Sequence, residues 1–307
     1  MFIPVYKKRK MAQPMLDLPF SLYTVSDLHL EHFNTQDEES VAKAAAACIP
    51  KTEVLVLAGD IGWPGTKAWT SFLTICAEKH KLVIYVLGNH ELWSKESYGL
   101  NNERTNTWTP EEISLCCSQF NTMNIIVLNN QSIEYKGVTF IGSTLWTPLL
   151  SRQGVPLAKK QVKPMNDLKR ITGFNMTEWR RRFQRSMDYL LTKLECLEKK
   201  RQDMGQEVRC IIVTHHAPAF ECISDRFQKD ILNGCYASEM LQGIFDITFV
   251  KAWIFGHTHK TMRKKVGLKR NTLLIGHAAR EECYEYQLDK AAAADLGMLC
   301  TGPDQVN

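Results

Sequence analysis

No Cys-x-x-Cys pair occurs in this 307-residue chain, although it carries ten cysteines, at 48, 76, 116, 117, 196, 210, 222, 235, 283 and 300. That absence argues against a zinc ribbon and a thioredoxin-like redox motif. Cys76 and Cys210 sit inside apolar runs, where a reduced thiol behaves as a small hydrophobe. Reduced cysteines and a cytoplasmic protein are therefore expected. No apolar run reaches the roughly 20 residues a membrane-spanning helix needs, so no membrane insertion is expected. Lys7-Lys8-Arg9-Lys10 lies behind a very short apolar patch, the reverse of a secretory signal. No internal repeat and no convincing linker divides the chain. The net charge of +5 is too mild for a dedicated DNA binder, so no obligate nucleic-acid partner is expected; it weakly favours an anionic substrate.

What is present is an alternation of strand and helix patterns. Residues 1–19, with four basic residues and three prolines but no period, read as a flexible lead-in. Residues 20–289 read as one domain, and the alanine-rich 290–307 as a C-terminal tail. Strand patterns cover 21–26, 53–58, 82–87, 125–128, 132–135, 138–141 and 208–214, with three or four closing strands near 252–255, 262–266, 272–276 and 283–287. Helices are predicted over 38–48, 66–79, 177–200 and 238–244, and after the capping-box quartet Thr109-Pro110-Glu111-Glu112. The proline-bearing segment 146–175 reads mostly as loop. Early βαβ units followed by hairpin strands imply an α/β fold: two mixed β-sheets packed face to face with helices outside.

Five polar clusters each follow a strand-like run: Asp27-Leu28-His29, Gly59-Asp60, Gly88-Asn89-His90-Glu91, His215-His216 and Gly256-His257-Thr258-His259. In open α/β sheets ligands bind beyond the carboxyl ends of the strands, so these side chains should meet in one place. They offer oxygen and imidazole donors suited to divalent metal. Two cations about 3.5–4 Å apart need a shared anion between them, and Asp60 is the natural bridge. Asp27 and His29, like His257 and His259, are two apart and on an extended segment would point to the same side. Asn89 offers a neutral carbonyl oxygen.

In this order, Asp-x-His, Gly-Asp, Gly-Asn-His-Glu, His-His-Ala-Pro and Gly-His-x-His resemble the motifs of the calcineurin-like metallophosphoesterase superfamily. The resemblance spans residues 27 to 259. It implies a four-layer α/β/β/α sandwich and two divalent transition-metal ions, manganese, iron or zinc. It also implies that Asp27, His29, Asp60 and His259 hold one ion while Asp60, Asn89, His215 and His257 hold the other. His90 would stand free of metal, contact the phosphate and aid the leaving oxygen, after attack by a hydroxide held between the ions. His216 would line the pocket or orient its neighbour. The expected activity is hydrolysis of a phosphomonoester or phosphodiester in a phosphorylated small molecule, nucleotide or other phosphoester.

The sequence departs from phosphoprotein Ser/Thr phosphatases, which extend the second motif as Gly-Asp-x-x-Asp-Arg-Gly. Here Gly59-Asp60-Ile61-Gly62-Trp63-Pro64-Gly65 lacks the second acid and the arginine. That phosphatase class, a nuclease and a non-catalytic scaffold are the rival readings. Asn166 and Asp167 are candidates to approach the site. Trp63, Trp93 and Trp146 are candidates either to stack on a leaving group or to pack. The basic run from Lys260 to Arg270 reads as a solvated hairpin or a positive rim, and His32, His80 and His277 as surface or core histidines.

Overall fold

The computed structural model describes residues 16–32, 37–93, 107–120, 124–205, 207–268 and 272–279. Most of the expected lead-in, the strand near 283–287 and the tail fall outside them.

The first half alternates β1 (Leu22–Val25), α1 (Glu38–Ala47), β2 (Val54–Ala58), α2 (Lys67–Lys79), β3 (Leu82–Val86), α3 (Pro110–Ser118) and β4 (Ile125–Leu128). Its helices start where local chemistry directs. The Thr66 hydroxyl accepts from the Trp69 amide, and Thr109 and Glu112 form a reciprocal capping box with Pro110 in the first turn. The four strands form one sheet in the order β1-β2-β3-β4, parallel throughout. This corrects the expectation that both sheets are mixed. A helix joins each of these strands to the next, and such crossovers return the chain in the same direction.

The hairpin strands fall in the second sheet. It is built from β5 (Gln131–Tyr135), β6 (Val138–Ser143), β7 (Arg209–Thr214), β8 (Val250–Phe255), β9 (Met262–Val266) and β10 (Thr272–Gly276). Its order is β5-β6-β7-β8-β10-β9, with antiparallel pairs at the two edges and parallel pairs between. Two short helices, α4 (Lys159–Val162) and α5 (Asp167–Arg170), interrupt the segment read as loop. The long α6 (Met176–Met204) and the short α7 (Asn233–Tyr236) complete the helices, while Glu239–Asp246 winds as 3-10 helix.

All residues of β2 and β3 are buried, which is why they read as continuous apolar runs. Val54, Val56, Ala58, Ile84 and Val86 face the second sheet's Phe140, Ile211, Val213 and Ile254. The alternate residues Leu55, Leu57, Val83 and Tyr85 pack with Val41, Ala45, Trp69 and Phe72 of α1 and α2. On the far side, α6 turns Trp179, Phe183, Met187, Leu190 and Leu194 inward. Each fully buried side chain of this kind contributes about 1.5–3 kcal/mol, enough to fix the strand ends in space. The result is a helix–sheet–sheet–helix stack. No helix among the described residues is long and apolar enough to cross a membrane.

Candidate active site

The carboxyl ends of β1, β2 and β3 meet those of β7 and β8, and backbone turns there aim the polar clusters at one another. The pairs Asp27/His29 and His257/His259 do not lie on extended chain, as their spacing suggested. Asp27, His29, Asp60, His257 and His259 adopt φ of 54°, 51°, 54°, 67° and 48°. Left-handed backbone at non-glycine residues costs on the order of 1–3 kcal/mol and persists only where surroundings enforce it. Cross-strand hydrogen bonds do so here. The Asp27 amide donates to Gly59 O (3.0 Å) and the His29 amide to Asp60 O (2.9 Å). The His257 amide donates to Asp27 Oδ1 (2.8 Å), tying the two sheets together.

Close approach explains two glycines. A Cβ on Gly59 (φ 86°) would stand 2.4 Å from His215 Nδ1, and one on Gly88 would stand 2.1 Å from Asp60 Oδ1. Only a hydrogen fits at either position.

Among the described residues three groups of potential ligands result: His29, Glu31, His32 and His90 form one, beside two others that draw on both sheets. In one of those two, donor atoms of Asp27, His29 and His259 lie within 4.8 Å of one another; in the other, those of Asp60, His215 and His257 do so. His29 Nε2 is 3.1 Å from His259 Nε2 and 3.8 Å from Asp60 Oδ2. His215 Nε2 lies 3.0 Å from Asn89 Oδ1, 3.2 Å from His257 Nδ1 and 3.3 Å from Asp60 Oδ2. Asp60 thus touches both clusters. His259 is half exposed while the others are largely buried, so the site opens on that side.

The donor set fits cations. His215 Nδ1 donates to Ala58 O and His29 Nδ1 to the Glu31 carboxylate, which leaves each Nε2 lone pair facing other acceptors. Burial opposes charge on Asp60, yet His215, His90 and His29 hold its carboxyl well below the usual carboxylate range. Burial likewise opposes a charged His215, but Asp60 and Asp27 push that ring up to about 9. A field that favours a proton on His215 Nε2 favours a metal cation beside it.

Three acids hold this frame. Glu91, fully buried, accepts from the amides of Gly88, Asp60 and Ile61 and from the Tyr85 hydroxyl at 2.7–3.0 Å, clasping two ligand loops. Burial, then the nearby Asp60, pushes its carboxyl up to about 7. Asp167 Oδ1 accepts from Asn89 Nδ2 (2.8 Å) and Trp93 Nε1 (2.9 Å), turning Asn89 Oδ1 toward His215. Asn166, its sequence neighbour, is exposed and makes no side-chain cap, so only one of that pair reaches the site.

Glu31, which the sequence reading passed over, is the third. Its Oε1 lies 2.9 Å from His90 Nδ1 and 3.1 Å from His29 Nδ1. Burial opposes its charge, but those two rings hold its carboxyl down at about 2. A signal was available, because Asp27, His29 and Glu31 continue one two-residue spacing. His32, expected as a surface or core histidine, stands beside the site, stacked on His29 with centroids 5.1 Å apart.

His90 donates its amide to Asp60 Oδ1 (2.9 Å), and its ring stacks on Trp93 at 3.5 Å. Its Nε2 is 3.9 Å from Asp60 Oδ2. His216, expected to line the pocket or to orient its neighbour, lies behind the ligand clusters. It has no exposed surface and packs behind His257, with centroids 4.2 Å apart, and against Trp146. Burial drives that ring down to about 3, consistent with a neutral packing group. Trp146 is core, and Trp93 supports His90 from beneath. His80 hydrogen-bonds around Thr52, whereas the His277 ring bonds Thr24 O and its carbonyl accepts from the Ser26 amide and hydroxyl, next to Asp27. In the basic run, Lys260 is engaged by the carbonyls of Glu221 and Ile223, and Lys264 pairs with Glu221. These lysines belong to the edge-strand region, where charge discourages strand-to-strand association; Lys269 and Arg270 lie outside the described residues.

Comparison with known proteins agrees with this geometry. Residues 20–261 match the family model for calcineurin-like phosphoesterases. An uncharacterized protein, L509, of Acanthamoeba polyphaga mimivirus is 30% identical over 258 residues, covering 78% of this chain and 84% of that one. Among solved structures, a phosphopantetheinyl hydrolase from Mycobacterium tuberculosis shares the fold, with a TM-score of 0.61 at 14% identity over 86% of this chain and 91% of that one. The chain therefore belongs to the calcineurin-like phosphoesterase family and is a metal-dependent phosphoester hydrolase.

Proposed function

We propose that the protein hydrolyses a phosphomonoester or phosphodiester, with Asp60 shared between two cation positions and His90 assisting departure of the leaving oxygen. The observation that carries this reading is the place of Asp60 Oδ2, 3.3 Å from His215, 3.8 Å from His29 and 3.9 Å from His90. One carboxylate oxygen thereby serves both aspartate–histidine clusters and lies near His90, which belongs to neither.

Asp27, His29, Asp60 and His259 are the residues to hold one divalent cation, and Asp60, Asn89, His215 and His257 the other. Mixed nitrogen and oxygen donors suit manganese, iron or zinc. Such ions, when bound, supply Lewis acidity toward phosphoryl oxygens and make water a nucleophile near neutral pH. The protein's own part is positioning. Asp167 keeps the Asn89 amide turned inward, and Trp93 supports the His90 ring. As water adds to phosphorus and the ester P–O bond breaks, a proton on His90 Nε2 passes to the departing alkoxide, giving an alcohol and a phosphate or phosphomonoester.

The test compares aryl phosphate mono- and diester hydrolysis by metal-reconstituted protein with the Asp60→Asn and His90→Ala variants. Asp60→Asn should lose metal and activity together, by more than the about 100-fold that marks the upper range for residues behind a ligand. His90→Ala should keep its metal and turn over slowly. Full activity in His90→Ala removes that residue from the mechanism, and full metal content in Asp60→Asn removes the shared carboxylate.

A further inference from the structure

We infer that Glu31 is a positioning residue for His90, fixing which ring nitrogen faces the reacting ester; the inference rests on the role proposed above for His90.

Glu31 lies in the 3-10 turn Leu30–His32 that follows the first ligand pair, and its side chain is only 1% exposed. Its Oε1 is 2.9 Å from His90 Nδ1, a contact across 59 positions of sequence. An ionised carboxylate only accepts hydrogen bonds, so the Nδ1 atom facing it carries a hydrogen. That assigns the proton-transferring role to the other nitrogen, Nε2, on the Asp60 side of the ring. The remaining freedom of the imidazole is closed from other directions. Trp93 covers one face at a centroid distance of 3.5 Å, and His29 meets the ring edge-on at 4.4 Å. Arg170 in turn lies over Trp93, 4.6 Å from its ring centre. A ring so enclosed keeps one orientation, which the carboxylate selects.

The same oxygen also accepts from His29 Nδ1 at 3.1 Å. Glu31 could therefore act only on the metal ligand, and the test has to separate the two roles. If Glu31 acts through His90, its loss matters most where the leaving oxygen needs a proton. If it acts through His29, metal binding fails and all esters suffer alike.

The experiment measures kcat, KM and metal content for wild type, Glu31→Gln, Glu31→Asp, His90→Ala and the double variant Glu31→Gln/His90→Ala. The substrates are phenyl phosphate and 2,4-dinitrophenyl phosphate, whose leaving groups differ widely in acidity. Glu31→Gln is expected to keep wild-type metal content and KM. Its kcat on phenyl phosphate should fall about 10-fold, the lower range for residues that orient a functional group, with a much smaller loss on the dinitrophenyl ester. Glu31→Asp, which keeps the charge but shortens the reach, should lie between and provides the comparison if Glu31→Gln does not fold. In the His90→Ala background, adding Glu31→Gln should cost nothing more. Equal loss on both esters, a further loss in the double variant, or metal loss in step with activity would overturn the inference. An unimpaired His90→Ala sinks the parent reading and is read from that variant alone. A slow His90→Ala beside an unimpaired Glu31→Gln sinks only this one.

Discussion

His215, at the end of β7, places Nδ1 2.9 Å from the carbonyl oxygen of Ala58, the last residue of β2. A ligand carried by one sheet is thus oriented by the backbone of the other. A carbonyl can only accept, so Nδ1–H donates and Nε2 is left to face Asn89, His257 and Asp60. The face-to-face packing of the sheets is therefore part of the site and not merely its support.

Gly59 tests that relationship. Alanine there puts a methyl group into His215 Nδ1 and the Gly88 amide at a left-handed backbone position. Gly59→Ala should lower stability by roughly 2–4 kcal/mol, from backbone strain and overpacking together, and should reduce metal uptake. Urea unfolding and metal analysis check this; a loss below about 1 kcal/mol with normal metal content would contradict the packing described.

Asp167 is expected to act through Asn89. Asp167→Ala leaves Asn89 Nδ2 and Trp93 Nε1 without their acceptor. Metal affinity should fall about 10- to 100-fold. Stability should fall by about 1–3 kcal/mol for the buried donors left unpaired. Asp167→Asn keeps an acceptor oxygen and should recover part of both losses. Metal titration with thermal unfolding separates the effects, and unchanged metal affinity in Asp167→Ala would show that Asn89 holds its orientation unaided.

Glu178 gives a pH-dependent expectation away from the site. Arg181, then Arg182, hold its carboxyl down at about 2 against an ordinary 4.5, with burial opposing only in part. Because the folded value lies below the unfolded one, this contribution is present above about pH 4.5 and is lost as pH falls toward about 2. Glu178 is itself only partly exposed, but the cluster sits at the surface with Arg181 half exposed, so Glu178→Gln should cost less than about 1 kcal/mol at neutral pH. The gap from wild type in denaturant titrations should shrink through that acid window. A gap that widens there would reverse the assigned sign.

Thiol chemistry should follow burial. Cys76, Cys117 and Cys235 are buried, and that burial pushes their thiols up to about 12. Burial also raises Cys210 and Cys222. Cys196 is exposed on α6. Brief alkylation of the native protein, mapped by mass spectrometry, should modify Cys196 well before these five. Early labelling of Cys210 would place β7 at the surface and contradict the fold.

Much of this molecule was legible in the chain itself. The apolar runs of β2 and β3 are continuous because both faces of a central parallel strand are covered, and each gives way just past a glycine to a polar residue that stays buried only through the partners it meets there. That contrast marked Asp60 and Asn89 without any knowledge of neighbours. The capping box at Thr109 and the apolar stripe of α6 were equally local. The Asp27/His29 pair was also found, but through an extended geometry that the left-handed backbone replaces.

What only the tertiary structure decided is which side chains hold the ligands in place. Glu91 reaches Asp60 across 31 positions, Glu31 reaches His90 across 59, and Asp167 reaches Asn89 across 78. Periodicity reports the environment of a residue along its own strand or helix, so it shows where an apolar run gives way to a polar group. It carries nothing about which distant carboxylate will meet that group, because that is set by how the loops at the ends of two packed sheets close on each other.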